Sequence, residues 1–228
     1  MEKNLKYIEK IDTFENESIY IKKCFTAVRS IAANPQLIMD INSSNKTILE
    51  RNYILSMVYS MGKMDCLQED IQFIFGSSSY FVGGETNKYI SLKENKVKKT
   101  CKELHFNIND GRIEVIPDLV LHNSHNPEAV KKGNGQYLAL EAKTAKRLGQ
   151  YYFNRDFFKL NLYLAGLHFQ NAVFLVINKS AKTIDKYIAA YVKNNYYCYD
   201  HLDIKLRLFI QESNLPEMYA LKRDSFIR

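Results

Sequence analysis

The chain contains few of the residues that build disulfide frameworks and zinc sites. Only four of its 228 residues are cysteines and five are histidines, and no two cysteines form a CxxC pair. This pattern indicates neither a zinc knuckle nor a disulfide framework, so we expect reduced and mostly buried thiols. His122 and His125 lie close together after a predicted strand, a placement more typical of solvated loop residues than of metal ligands.

Long apolar segments are also missing from the sequence. The longest apolar run, AVFLVI at 172–177, is far too short to cross a membrane and is typical of a buried strand. Residues 1–18 are charged and lack the apolar stretch of a signal peptide. We therefore expect a cytoplasmic protein that has no membrane partner.

Positive charge is in moderate excess, with 32 Lys and Arg residues against 25 Asp and Glu residues and a net charge of +7. Such an excess favours a polyanionic partner such as nucleic acid. The lysine-rich run 93–102 is most typical of a solvated face, but it is also able to hold phosphates.

The hydrophobic pattern predicts a mixed α/β fold. Apolar residues recur at helical spacing in segments 14–33, 46–64, 154–168 and 183–195. Alternating or continuous apolar runs predict strands over 101–109, 112–122, 136–144, 171–180 and 202–211, with a hairpin turn at Asp110-Gly111. We expect one domain over 1–228 with a core at about 46–210, an N-terminal helical extension over 1–45, and a candidate insertion at 65–100.

Charged residues interrupt two of the predicted strands. Asp118 follows Pro117 in the first of them, and Glu141 and Lys143 are two positions apart in the second. Side chains two apart on a strand point to the same face, so Glu141 and Lys143 project together. If the two strands pair, Asp118 joins them and completes a patch of two carboxylates and one ammonium group.

Such a patch suits the hydrolysis of a phosphodiester. Mg²⁺ prefers hard oxygen ligands, which Asp118, Glu141 and the backbone carbonyl of Ala142 are able to supply, while Lys143 attends the attacking water. The alternative is a half-exposed sheet with an ordinary polar face. An acid-x-Lys triplet is weak by itself, because Glu94–Lys96 and Asp203–Lys205 have the same form, but only Glu141–Lys143 follows a Pro-Asp strand.

Pro117-Asp118 followed by Glu141-Ala142-Lys143 resembles the signature of the PD-(D/E)XK nuclease superfamily. The resemblance implies a restriction-endonuclease-like core, in which helices flank a central mixed sheet of four to five strands. It further implies a metal-site role for Glu50 in the preceding helix, for which Glu85 is a competitor.

The same resemblance suggests three substrate-binding residues. Glu103 matches an acidic position that many members keep on a strand, and Asp156 and Lys159 match a DxxKL pattern in the helix that follows the Glu-x-Lys strand.

The function implied by the resemblance is that of a Mg²⁺-dependent DNA endonuclease, for which Mn²⁺ can substitute, acting in defence or mobile-element biology. DNA is favoured over RNA. A homodimer is a candidate assembly, because double-strand cutting by this fold generally needs two active sites. Two alternatives stay open: a catalytically inactive nucleic-acid-binding protein that shares the fold, and a scaffold that uses the Tyr-rich segment 194–201 as an interface.

Overall fold

The computed structural model describes residues 5–34, 46–66, 81–84, 87–122, 135–145, 147–212 and 215–225. The helices are α1 (Ile19–Ala33), α2 (Lys46–Cys66), α3 (Asn95–Glu103), α4 (Gln150–Gly166), α5 (Ala181–Lys193) and α6 (Leu202–Lys205), followed by a 3₁₀ turn at Arg223–Ser225. The strands are β1 (Ile8–Lys10), β2 (Phe81–Gly84), β3 (Lys88–Ser91), β4 (Ile108–Asn109), β5 (Arg112–Val115), β6 (Leu119–His122), β7 (Gln136–Thr144), β8 (Asn171–Ile177), β9 (Leu206–Gln211) and β10 (Glu217–Leu221). Among the described helices, none is long and apolar enough to cross a membrane.

A seven-stranded mixed sheet forms the centre of the molecule, with the order β1-β10-β9-β8-β7-β6-β2. Strands β7, β8 and β9 run parallel, and the other neighbours pair antiparallel. The mixed α/β class is confirmed, but the expected count of four to five strands was too small. The strands of this sheet that the sequence did not reveal, β1, β2 and β10, have three to five residues each and are too short for a clear alternating pattern.

Helices cover both faces of this sheet. On one face α1 and α2 contribute Phe25 and Met57 to a core that includes Leu140 and Leu175. On the other face the core contains α4 and α5 together with the second sheet, whose strand order is β3-β5-β4. Burial from both sides explains why β8 reads as an unbroken apolar run.

The expected single strand over 112–122 is two strands in two different sheets. β5 pairs with β3 and β4 in the small sheet, whereas β6 pairs with β2 and β7 in the large one. Pro117 lies between them, and a proline has no N–H to continue a hydrogen-bonded ladder. The expected turn at Asp110-Gly111 is confirmed: both residues have positive φ, as a tight β4–β5 hairpin requires.

Two further strand predictions were partly wrong. Glu103 is the last residue of α3 and not part of a strand, because Val97, Thr100 and Cys101 form a buried face at helical spacing. Likewise, the start of the expected strand over 202–211 is helix α6, and Ile204, which should have faced the core, is 61% exposed. Alternation over so few residues does not distinguish one turn of helix from a strand.

Candidate active site

The pairing of β6 with β7 brings Asp118 beside Glu141. Leu119 lies opposite Leu140 in the antiparallel register, so the residue before β6 meets the residue after Leu140. The backbone N–H of Ala142 donates to Asp118 Oδ2 at 2.7 Å, which fixes the aspartate against β7. Leu140 and Ala142 enter the core under α1 and α2, so Glu141 and Lys143 project together on the opposite face, as expected from the strand period.

Lys143 lies at the centre of the acidic residues. Its Nζ is 3.6 Å from Asp156 Oδ2, 3.9 Å from Glu50 Oε2 and 4.0 Å from Asp118 Oδ2. The same Nζ donates to the carbonyl oxygen of Ala142 at 3.1 Å, which is the backbone oxygen expected to serve as a ligand. The positive charge of Lys143 therefore offsets the negative charge of the three carboxylates around it.

Glu50 reaches this group from α2. Its Oε1 accepts hydrogen bonds from the backbone N–H and the hydroxyl of Thr144, each at 3.1 Å, at the end of β7. Arg147 Nη1 lies 3.6 Å from the other carboxylate oxygen. The helix acid predicted from the resemblance is thus in contact with the end of the Glu-x-Lys strand. Its competitor, Glu85, lies outside the described residues.

Helix α4 contributes a stripe of polar residues that faces Glu141. Asp156, Lys159 and Tyr163 are spaced by three and four positions and therefore share one side of the helix. Lys159 Nζ lies 2.5 Å from Glu141 Oε2 and 2.9 Å from Asp156 Oδ1. The Tyr163 hydroxyl donates to Glu141 Oε1 at 2.6 Å. Tyr163 was not predicted, although its position four residues after Lys159 was a usable signal.

Burial dominates the electrostatics of the two strand carboxylates. Glu141 is fully buried, and desolvation raises its pKa to about 8 in spite of the opposing charge of Lys159. Burial likewise raises the pKa of Asp118 above its usual range. For the ammonium groups of Lys143 and Lys159, burial acts against the charged form, but the surrounding carboxylates outweigh it and raise both pKa values.

The donor set of the site is suited to a hard cation. Among the described residues, the carboxylates of Glu50, Asp118, Glu141 and Asp156 contact three cationic groups, those of Lys143, Arg147 and Lys159. Carboxylate and carbonyl oxygens are the ligands that Mg²⁺ prefers, and a bound cation would offset the cost of charging the buried Glu141 and Asp118. In the described part of the chain, however, no group of three or more His, Cys, Asp or Glu side chains is arranged to hold a metal ion. The residues that could supply ligands are Asp118, Glu141 and, through its backbone carbonyl, Ala142, and the ammonium groups of Lys143 and Lys159 lie beside them.

The carboxylate of Glu103 makes its ion-pair contact away from this site. Glu103 ends α3, where its Oε1 is 3.8 Å from Lys99 Nζ in an exposed i,i+4 pair. Lys143, Asp156 and Lys159 instead line the inner end of a cleft of about 750 Å³ between α4 and the small sheet.

Comparisons of the chain with family models, with curated proteins and with solved structures gave no match. What the site does chemically is therefore inferred from its own geometry and charges.

Proposed function

We propose that the protein is a metal-dependent nuclease of the PD-(D/E)XK type, with a restriction-endonuclease-like core, that hydrolyses phosphodiester bonds of DNA. Mg²⁺ is the proposed cofactor, and Mn²⁺ would substitute. The observation that most supports the proposal is the meeting of Asp118, Glu141 and Lys143 on one face of paired strands. Glu50 and Lys159 reach the same point from helices on opposite sides of the sheet.

Each residue of the site has a distinct role in the proposed reaction. A divalent cation held by Asp118, Glu141 and the Ala142 carbonyl would supply acidified water and offset the charge of the pentavalent phosphorus. Lys143 would orient the attacking water and stabilise negative charge on a non-bridging oxygen. Lys159, at the inner end of the cleft, would contact the phosphate beside the scissile bond. Glu50 would keep Lys143 in place through its contact with the end of β7.

One observation favours a second candidate, a nucleic-acid-binding protein without cleavage. Lys143 and Lys159 already bridge the carboxylates, which is how a purely structural charge network would look. Isothermal titration with Mn²⁺ separates the two. If the site is that of a nuclease, the unaltered protein should bind Mn²⁺ and the Asp118→Asn variant should not. If the lysines already neutralise the carboxylates in a purely structural network, the titration should show no saturable heat of binding.

The deciding experiment is a plasmid-nicking assay with Mg²⁺. Asp118→Asn and Lys143→Met should each lower the cleavage rate by about 100-fold or more, the scale on which one stabilising group acts in catalysis. Asp203→Asn and Lys205→Met are matched controls, because they make the same changes in an acid-x-Lys triplet that lies on helix α6. Cleavage that survives the first pair as well as the second contradicts the proposal.

A further inference from the structure

The cleft that leads into the candidate active site has an unusual lining. One wall is the outer face of the small sheet and the other is the beginning of α4. Besides the lysines and Asp156 at its inner end, the cleft is lined by aromatic, amide and charged side chains, among them Tyr89, Phe106, Asn107, Asn109, Tyr152 and Arg155.

Both walls are connected to the site through very short stretches of chain. Ile116, on the small-sheet wall, comes only two residues before Asp118. Tyr152, on the helix wall, comes four residues before Asp156, so both lie on one face of α4 with an axial separation of about 6 Å. A stacked DNA strand rises about 3.4 Å per nucleotide, so Tyr152 lies about two nucleotides along the helix from Asp156, whose carboxylate contacts Lys143 and Lys159.

The cleft also contains several large hydrophobic side chains that are exposed and lie outside the core. Of the nine large hydrophobic side chains that are exposed in the described part of the chain, three line this one cleft: Tyr89, Ile116 and Tyr152. The Tyr152 side chain is 56% exposed although α4 is otherwise the most buried helix of its face. Exposed apolar side chains concentrated in a concave surface mark a binding site.

A second flat surface lies next to Tyr152. The guanidinium of Arg155 lies over the ring of Phe106, 4.6 Å from its centroid, and Nη1 of Arg155 is 3.5 Å from the hydroxyl oxygen of Tyr151. One face of the guanidinium therefore lies against an aromatic ring. Aromatic rings and arginine planes are the surfaces on which unpaired nucleobases stack.

The size and charge of the cleft favour binding of a nucleobase over binding of a stretch of sugar-phosphate backbone. Its basic side chains are interspersed with the acids Asp110, Glu114 and Asp156, so it does not offer a continuous positive track for phosphates. Asn107 and Asn109 supply amides that can pair with base edges. A volume of about 750 Å³ is that of a small-molecule pocket, and a base reaches such a pocket only after it has left the duplex stack.

We infer that this cleft binds an unpaired base next to the scissile phosphate, stacked on Tyr152 and the Arg155 plane. The substrate class is then single-stranded DNA, or duplex DNA with an unpaired end or branch. This inference rests on the proposed function, because it takes the substrate to be nucleic acid. According to this inference, the cleft determines the specificity for unpaired over paired DNA.

The test measures binding and not cleavage. The full-length protein is titrated against a fluorescently labelled single strand, a hairpin duplex of the same sequence, and a fully abasic strand of the same length, all in EDTA. Tyr152→Ala should weaken binding of the single strand by about 5- to 150-fold, the effect typical of losing one stacked base. Tyr152→Phe keeps the ring and should retain the affinity. Tyr59→Ala, an exposed tyrosine on α2 outside the cleft, should leave it unchanged.

The abasic strand decides whether the ring contacts a base. On that strand Tyr152→Ala should have no effect, whereas an equal loss on the intact and abasic strands would overturn the inference. So would a duplex that binds as tightly as the single strand and is equally sensitive to Tyr152→Ala. Tighter Tyr152-dependent binding to an RNA strand of the same sequence would overturn the assignment to DNA.

The inference and the proposed function fail in different ways. If the base-dependent effect of Tyr152→Ala is present but no substrate is cut with Mg²⁺, the nuclease proposal is wrong, and the binding of an unpaired base in the cleft stands. If cleavage depends on Asp118 but is the same for paired and unpaired DNA and for Tyr152→Ala, the cleft assignment is wrong and the nuclease proposal stands.

Discussion

Removal of the Tyr163 hydroxyl should destabilise the protein by about 2 kcal/mol, because that hydroxyl is bonded to a carboxylate that water does not reach. Tyr163 and Glu141 are both fully buried, and the O–H···O distance is 2.6 Å. Tyr163→Phe keeps the ring and therefore opens no large cavity, so the change in free energy of unfolding reports the lost hydrogen bond. Leaving a buried acceptor without its hydrogen-bond partner costs roughly 1–3 kcal/mol, and Glu141 Oε1 would be such an acceptor.

The expected shift is large enough to measure by two methods. For a chain of this size, each 1 kcal/mol corresponds to a change in Tm of about 2–4 °C, so Tyr163→Phe should melt roughly 4–8 °C lower than the unaltered protein. Urea denaturation followed by circular dichroism gives the free energy of unfolding independently. Tyr59→Phe is the matched control: that tyrosine is 72% exposed, and its loss of a hydroxyl should change stability by less than about 0.5 kcal/mol.

Equal stability of the two variants would refute this reasoning. It would mean that Lys159, 2.5 Å from the other oxygen of Glu141, satisfies the carboxylate without help from Tyr163. A loss well above 3 kcal/mol would instead indicate that the ring itself moves and that more than one contact is removed.

Two further predictions concern the same helix and strand. The raised pKa of Glu141 means that the folded state holds this proton more tightly than the unfolded chain, so the stabilising contribution is complete below pH 4.5 and is lost as the pH rises towards 8. Glu141→Gln has no proton to lose, so in EDTA its free energy of unfolding, relative to that of the unaltered protein, should increase between pH 5 and pH 8.5. A difference that does not change with pH would contradict the conclusion that burial raises the pKa of Glu141. Gly166→Ala should lower stability by about 1–3 kcal/mol in urea denaturation, because the new Cβ would stand 2.7 Å from Cγ2 of Ile90, a stiff β-branched residue. The loss should shrink in an Ile90→Ala background, and an equal loss in both backgrounds would show that this contact is not the cause.

The sequence was most informative where the chain is locally consistent. β7 and its partner strand could be paired from their spacing alone, and the two-residue period then placed Glu141 and Lys143 on one face. Helix α4 was recognisable over most of its length because apolar residues recur at helical spacing, although the helix begins at Gln150, four residues before the predicted start. The strand prediction failed for Ile204, which lies in a helix of only four residues, and for Glu103, which is the last residue of helix α3.

Contacts between distant parts of the chain could not be predicted from local sequence patterns. Glu50 and Thr144 are 94 positions apart, and nothing in either segment encodes the hydrogen bonds between them. The packing of α2 on the sheet creates that contact, and packing depends on the shape of the whole core. The resemblance supplied Glu50 as an expectation, whereas Tyr163 had no such support and emerged only from its bond to Glu141.

The energetics of the charge cluster bear on whether it is structural or functional. Burying Glu141 and Asp118 raises the pKa values of both, which means that their charged forms are disfavoured in the folded protein. Apolar side chains of similar size usually stabilise a core at least as well as a buried ion pair. Stability alone is therefore a weak reason for this chain to hold four carboxylates around Lys143 and Lys159 beside a cleft. The acid-x-Lys triplet at Asp203–Lys205 meets no such penalty on its partly exposed helix, and this contrast favours a chemical role for the buried cluster.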